Sequence, residues 1–306
     1  MNILRKLPLA MMVGLIFSAG SAHAQLSGNG IGGDFGMKSG SQPPPGFYLG
    51  YMAYNYDTSR IVTQGGQEIS LQGSLQAWAH LATIWLVTDR RILGANYSAM
   101  TILPFNNLTI NAPRLDLTTR NYGFGDLYVQ PINLGWHTKR ADVMTWYGFF
   151  APTGSQADQT GLGMWSHELA VGGTFYLNEK RTWHASALPV FEFHGKKQNS
   201  DVRVGNILTL KGGVGKTSKQ ILDVGMAYYA QWKLTDDSGL GLPPIVQNRL
   251  GKNRNFGLGP EASLVLPLKK DLTRLMIFDI KYFFETGTVL DTKGRVLVMT
   301  ITFKLL

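Results

Sequence analysis

Three acid–base side chains, His184, Glu192 and His194, fall on one alternate face of a single extended stretch. Two imidazoles and a carboxylate could bind a metal ion or move a proton. An extended chain rises about 3.3 Å per residue, so His184 lies far from the other two, and the three share no ion without help from elsewhere. The reading set against a metal site is that they are polar groups lining a wet interior. Ser166 and His167 suggest a hydrolytic pair, but neighbours on a strand point to opposite faces, and no Gly-x-Ser-x-Gly elbow accompanies them. The run Gly28-Asn29-Gly30-Ile31-Gly32-Gly33 has the spacing of a dinucleotide fingerprint, without the preceding strand or following helix that would make it one. Gly213-Val214-Gly215-Lys216-Thr217 imitates the end of a phosphate loop, but Leu210 stands where the first glycine belongs, and the stretch reads as a short turn. The residues capable of chemistry therefore point to no enzyme, no metal and no cofactor.

A different set of polar residues has a regular spacing. Asp223, Gln231 and Lys233 alternate with Leu222, Val224, Met226, Tyr228, Ala230 and Trp232. Glu261 sits among Leu258, Pro260, Ala262, Leu264 and Leu266, while Asp279, Lys281 and Glu285 interleave with Met276, Phe278, Ile280, Tyr282 and Phe284. Successive side chains of a strand face opposite sides, so each segment has one greasy and one polar face. Exposing a basic residue to hydrocarbon at mid-membrane depth costs about 2–4 kcal/mol, which assigns the charged face to the inside and the apolar face to lipid. Asp223, Gln231, Lys233, Glu261, Asp279, Lys281 and Glu285 are thus candidate lining residues of a lumen, with mixed signs that set no ion selectivity. Trp78, Ile84, Leu188 and Val190 are read as apolar members of the same inward faces, either a greasy slide or interior packing.

The elements needed to position these faces are twelve strands, near residues 46–56, 75–87, 92–103, 124–136, 142–153, 165–177, 182–195, 203–212, 219–233, 255–267, 273–285 and 294–306. Short connections (near 88–91, 137–141, 178–181, 213–217 and 268–272) alternate with long ones (57–74, 104–123, 154–164, 196–202, 234–254 and 286–293). That is the pattern of an all-β, transmembrane, antiparallel up-and-down barrel, with tight periplasmic turns and longer external loops. Closure also satisfies every backbone group, as lipid demands. A soluble sandwich would alternate too, but the strands are long for one, and aromatic residues such as Trp183, Phe193, Tyr228 and Trp232 mark strand ends like an interfacial girdle. The last strand resembles the carboxy-terminal signal read by the barrel-assembly machinery, although it closes on Leu306 rather than an aromatic residue.

At the amino terminus, Arg5 and Lys6 precede an apolar run to Phe17 and the small-x-small site Ala22-His23-Ala24. This predicts a secretory signal over residues 1–24, removed to leave Gln25 and implying export to a Gram-negative outer membrane. The formal charge of +9 falls to +7 without Arg5 and Lys6; spread along the chain, it suits anionic solutes or lipopolysaccharide phosphates and not nucleic acid. The absence of cysteine excludes disulfides, thiolate metal sites and a lipidated amino-terminal Cys. Residues 25–45 are rich in Gly, Ser and Pro, and Pro43 to Pro45 lack amide donors, so they form no spanning strand. They are expected to fold into the lumen as a plug or, alternatively, to trail as a periplasmic tail. The barrel proper is assigned to 46–306.

Blocks in a fixed order carry a family likeness. Gly36-Met37-Lys38-Ser39-Gly40 with Pro43-Pro44-Pro45-Gly46-Phe47-Tyr48, Gly125-Asp126-Leu127-Tyr128-Val129-Gln130-Pro131 with Leu134-Gly135-Trp136, and Pro152-Thr153-Gly154 resemble the outer-membrane proteins named for the meta-pathway of phenol degradation. That family is similar to the long-chain fatty-acid transporter barrels. The resemblance implies a channel or transporter for small hydrophobic or aromatic molecules; twelve strands leave only a narrow path. A non-transporting adhesion or structural barrel, acting through the loops at 57–74, 104–123 and 234–254, is the competing class. If the two faces meet different solvents, cysteines replacing Met226 and Asp223 will report hydrocarbon and water respectively to an environment-sensitive label; matching signals would refute the barrel.

Overall fold

The computed structural model describes residues 27–113, 117–156, 158, 160–239, 252–269 and 273–305. Residues 1–26, including Ala22, Ala24 and Gln25 of the expected cleavage site, lie outside the described residues, as does Leu306. The strands are β1 (Gly46–Val62), β2 (Glu68–Ile92), β3 (Ala95–Ala112), β4 (Leu117–Phe124), β5 (Leu127–His137), β6 (Ala141–Ala151), β7 (Met164–Tyr176), β8 (Trp183–Lys197), β9 (Ile207–Ser218), β10 (Leu222–Lys233), β11 (Arg254–Pro267), β12 (Leu275–Val289) and β13 (Asp291–Lys304). Each pairs antiparallel with its neighbours; β1 joins β13, and β3 joins both β2 and β5, so twelve strands close into a barrel. The additional strand, β4, pairs with the upper part of β3, from Phe105↔Phe124 to Ala112↔Leu117. A break at Gly125-Asp126 separates it from β5. There the Asp126 carboxylate accepts hydrogen bonds from the N–H groups of Gly154 (3.0 Å) and Leu162 (2.8 Å), tying the β6–β7 loop to the break.

Alternation places side chains as hydrophobic and polar solvation demand. On β10, Leu222, Val224 and Met226 are exposed on the outer face and Asp223 is buried on the inner one. On β12, Ile280 and Phe284 face out, while Lys281, Phe283 and Glu285 are buried inside. Ser166 is buried and His167 lies on the outer face against Tyr147 and Phe193, so the two cannot act together.

Several connections differ from the sequence reading. Gly213–Thr217 is no turn: it continues β9 in register with β10 (Gly215↔Gly225), and the reversal comes at Lys219 and Gln220, both with positive φ, as a two-residue hairpin turn requires. The strand expected at 203–212 accordingly begins and ends later. The stretches 57–74 and 104–123, expected as long loops, are largely strand, because β1 with β2 and β3 with β4 extend their pairing beyond the barrel rim. The loop expected at 286–293 is a reversal at Leu290 (φ 54°) between β12 and β13. Alternation alone does not reveal this, since polar hairpins outside lipid have no apolar face to mark them. Part of the expected loop 234–254, residues 240–251, lies outside the described residues.

Candidate functional site

The barrel interior is occupied by residues 27–45. From the periplasmic end upward, Gln42 donates from Nε2 to Ser98 Oγ on β3 (2.9 Å) and Asn133 Oδ1 on β5 (3.0 Å). The Ser41 hydroxyl donates to Asp142 on β6 (2.9 Å), the Gly40 N–H to Thr174 on β7 (3.2 Å), and the Ser39 hydroxyl to Ser186 on β8 (3.0 Å). The Lys38 ammonium reaches Asp223 on β10 (2.6 Å), and the Met37 N–H reaches Glu261 on β11 (2.7 Å). Six consecutive residues thus contact successive strands around the inner wall.

The glycines of β9 and β10 have their reason here. A Cβ at Gly215 or Gly225 would stand 2.4 or 2.5 Å from Met37 Sδ, and one at Gly213 would stand 2.9 Å from Met37 Cα. Their missing side chains form the socket in which Met37 is buried.

Higher in the lumen, Asp34 pairs with Lys211 of β9 (2.8 Å), and Phe35 stacks on Trp146 of β6 (centroids 5.3 Å apart) beside Leu188 and Val190. Toward the external end, Glu192 of β8 accepts the N–H groups of Asn29 (2.7 Å) and Gly30 (3.2 Å), while Asn29 Nδ2 donates to Ser166. The segment therefore runs the height of the barrel along the β6–β11 side.

Every candidate lining residue projects into this interior, most of them already engaged. Asp223 also bonds His184 (3.2 Å) and Thr217. Gln231 donates to Thr209 (3.1 Å), and Lys233 pairs with Asp237 (2.9 Å). Lys281 is paired with Asp279. Glu285 accepts from Tyr229 (2.7 Å), Tyr56 (3.0 Å) and Asn255. His194 bonds Glu192 (3.0 Å), and His184 is held separately by Asp223, so the strand's histidines work apart. Among the described residues no group of three or more His, Cys, Asp or Glu side chains is placed to hold a metal ion.

Of the four apolar residues read as inward, Leu188 and Val190 are buried inside, but Ile84 is 48% exposed on the outer face. Trp78 shares that face, stacked on His80, which bonds the exposed Tyr51 hydroxyl (2.6 Å). Both belong to the outer surface because the inner face of β2 is the odd-numbered one, through Leu81, Thr83 and Trp85.

On the side opposite the segment's contact line remains a cavity of about 1340 Å³. One wall is largely apolar, built by Met52 of β1, Leu81 and Trp85 of β2, and Met100, Ile102 and Leu108 of β3. The other is polar, with Asp34, Glu168, Lys211 and Glu285. The lining extends from Lys197 and Asp237 at the external end to Gln42 and Pro44 at the periplasmic end. Sequence reasoning missed Asp142, Glu168, Lys211 and Gln130, each a polar residue buried at an inward position of its strand.

A closed twelve-stranded antiparallel barrel with a lipid-suited exterior and a polar interior defines an outer-membrane β-barrel protein. Residues 58–288 match the family described as the MetA-pathway of phenol degradation, and the chain belongs to that family. The fold is similar to the crystal structure of an outer-membrane channel from Pseudomonas putida F1, with a TM-score of 0.72, 13% identity, and coverage of 88% of this chain and 97% of that one. It is also similar to the β domain of the Bordetella autotransporter BrkA, with a TM-score of 0.50, 10% identity, and coverage of 85% and 100%. At these identities the likeness is one of fold. No curated protein matches the sequence significantly.

Each hydrogen bond to the segment is worth about 0.5–1.5 kcal/mol net, so losing one does not release it. A clash inside the socket acts on the backbone itself. Gly215→Val should therefore raise ion conductance in planar bilayers severalfold by displacing Met37, with the heat-modifiable mobility of an assembled barrel retained; unchanged conductance would show that the socket does not hold the segment.

Proposed function

We propose that the protein is an outer-membrane channel that admits small hydrophobic or aromatic molecules along the cavity between the internal segment and the β1–β3 wall. The observation that carries this reading is the cavity's two-sided lining, an apolar wall facing a polar one over most of the barrel height. Pockets for small organic molecules are lined mostly by apolar and aromatic groups with a few placed polar ones, and about 300–1,000 Å³ suffices for a drug-sized ligand. The apolar wall supplies surface on which a hydrophobic body leaves water gradually, at about 25 cal/mol per Å² removed from water. Of the charges opposite, Asp34 is paired with Lys211, and Glu285 accepts from Tyr229, Tyr56 and Asn255. The likeness to an outer-membrane channel supports the same reading.

In this account residues 27–45 act as a plug that narrows the path, and residues 1–24 are the cleaved export signal. Outer-membrane lipid and lipopolysaccharide surround the barrel, and the barrel-assembly machinery inserts it. Expression in Gram-negative cells with an intact lipopolysaccharide leaflet should speed uptake of a radiolabelled aromatic hydrocarbon severalfold, and leave uptake of a disaccharide unchanged. Replacing both Met100 and Ile102 by Asp should abolish the gain while assembly persists. Equal uptake with and without the protein would contradict the proposal and favour a barrel acting through its external surface.

A further inference from the structure

The formal charge of +9 is not spread evenly over the folded chain. Each of the five short turns at the periplasmic end carries an exposed cation: Arg90 at β2–β3, Lys139 at β5–β6, Lys180 at β7–β8, Lys219 at β9–β10 and Lys269 at β11–β12. Beside them the exposed acids among the described residues are Asp89 and Glu179, and Glu179 is taken by Arg140 (3.2 Å). None of the five cations has a carboxylate partner among the described residues. The external end is built differently. Asp57, Glu68, Asp158, Asp201 and Asp236 are exposed among its cations; Arg60 and Lys293 share Glu68, and Lys196 pairs with Asp201. The positive excess thus collects in a collar at the periplasmic leaflet, the one that lipopolysaccharide does not occupy.

One sector of the collar reaches onto the lipid-facing wall. Lys216 of β9 is exposed on the outer face, in register with Trp183 of β8, and its ammonium lies 5.2 Å from the centre of that exposed ring. Val214, two residues along β9, and Val224, in register with Lys216 on β10, are exposed on the same face, so the hydrocarbon surface begins beside the ammonium. The Thr217 N–H bonds the Thr182 carbonyl (2.7 Å), which keeps β8 and β9 paired below Trp183. Lys180 and Lys219 therefore stand on adjacent turns beneath Lys216. Aromatic girdles mark the level of the headgroups, and a lysine there keeps its stem on apolar surface with its ammonium among them. Like charges gathered on one face repel until anions are supplied. Peptidoglycan or a soluble periplasmic protein reaches the turns but not the wall beside them. A membrane phosphate reaches both.

We propose that Lys180, Lys216 and Lys219, set about Trp183, form a headgroup site for an anionic phospholipid of the periplasmic leaflet. The phosphate accepts from the ammonium groups, and an acyl chain lies along Val214 and Val224. A zwitterionic lipid brings its own cation next to the phosphate and is disfavoured. Near an anionic surface each cation contributes about fivefold in affinity, and salt weakens the attraction. The site does not depend on solutes passing through the lumen.

Native mass spectrometry of the intact barrel, titrated in detergent with phosphatidylglycerol or phosphatidylcholine of matched acyl chains, tests the assignment. The wild type should retain phosphatidylglycerol at concentrations about tenfold below those needed for phosphatidylcholine. Lys180→Gln, Lys216→Gln and Lys219→Gln together should bring the two lipids to within about twofold, in barrels of normal heat-modifiable mobility. Arg120→Gln, Arg203→Gln and Lys252→Gln, the same loss of charge from exposed positions at the external end, should leave the preference intact. Equal retention of both lipids by the wild type, or a preference that survives the first triple substitution, overturns the site. Loss of the preference in the external variant places the anion in the other leaflet and overturns it as well. Peptidoglycan that sediments with the wild type and not with the first variant, while both bind phosphatidylglycerol alike, assigns the collar to that polymer instead.

Discussion

The line of hydrogen bonds from the six residues 37–42 to successive positions around the inner wall is the interaction on which the lumen's architecture depends. A barrel of twelve strands would otherwise enclose a wider polar bore, with Asp142, Thr174, Ser186, Asp223 and Glu261 among its inward groups. The segment gives each of them a partner from the chain itself. Because the segment runs the height of the barrel along the β6–β11 side, it leaves the largely apolar inner faces of β1 to β3 open to the cavity. The position of the cavity and its two-sided lining are consequences of where the polar inward residues lie.

The wall shows the complementary adjustment. Strand glycines weaken a sheet and have no side chain to pack, so a run of them inside a strand needs a cause. At Gly215 the cause is the close approach of Met37 Sδ, while at Gly213 and Gly225 the facing carbonyls of Met226 and Val214 stand nearer still; within the segment, Gly40 lacks a side chain because a Cβ there would lie 2.3 Å from Gly173 Cα. The same glycines are what made Gly213–Thr217 resemble a turn in the sequence. Composition there reflects contact with a distant segment, a signal that local pattern reading assigns to the nearest familiar motif.

Much of the fold was legible because lipid imposes a rule on every second residue. The alternation in β10, β11 and β12 is strict, and the strand count and inward charges followed from it. Where the chain leaves lipid the rule lapses, which is why the extended hairpins of β1 with β2 and β3 with β4 read as loops, and why Trp78 and Ile84 were assigned to the inner face of a strand whose two faces are both apolar. The site was legible only in part. Periodicity identifies Asp223 and Glu261 as inward, but their partners Lys38 and Met37 are fixed by three-dimensional register, and the pairing of Lys211 with Asp34 spans most of the chain.

The seating of the segment is open to a direct measurement, because the chain has no cysteine of its own. Ser39 and Ser186 stand with their hydroxyl oxygens 3.0 Å apart. In a protein carrying Ser39→Cys and Ser186→Cys, the account predicts that a disulfide forms in the assembled barrel under mild oxidation, seen as a cross-linked peptide joining the two positions. Free thiols at both positions in a correctly assembled barrel, each open to alkylation, would contradict it.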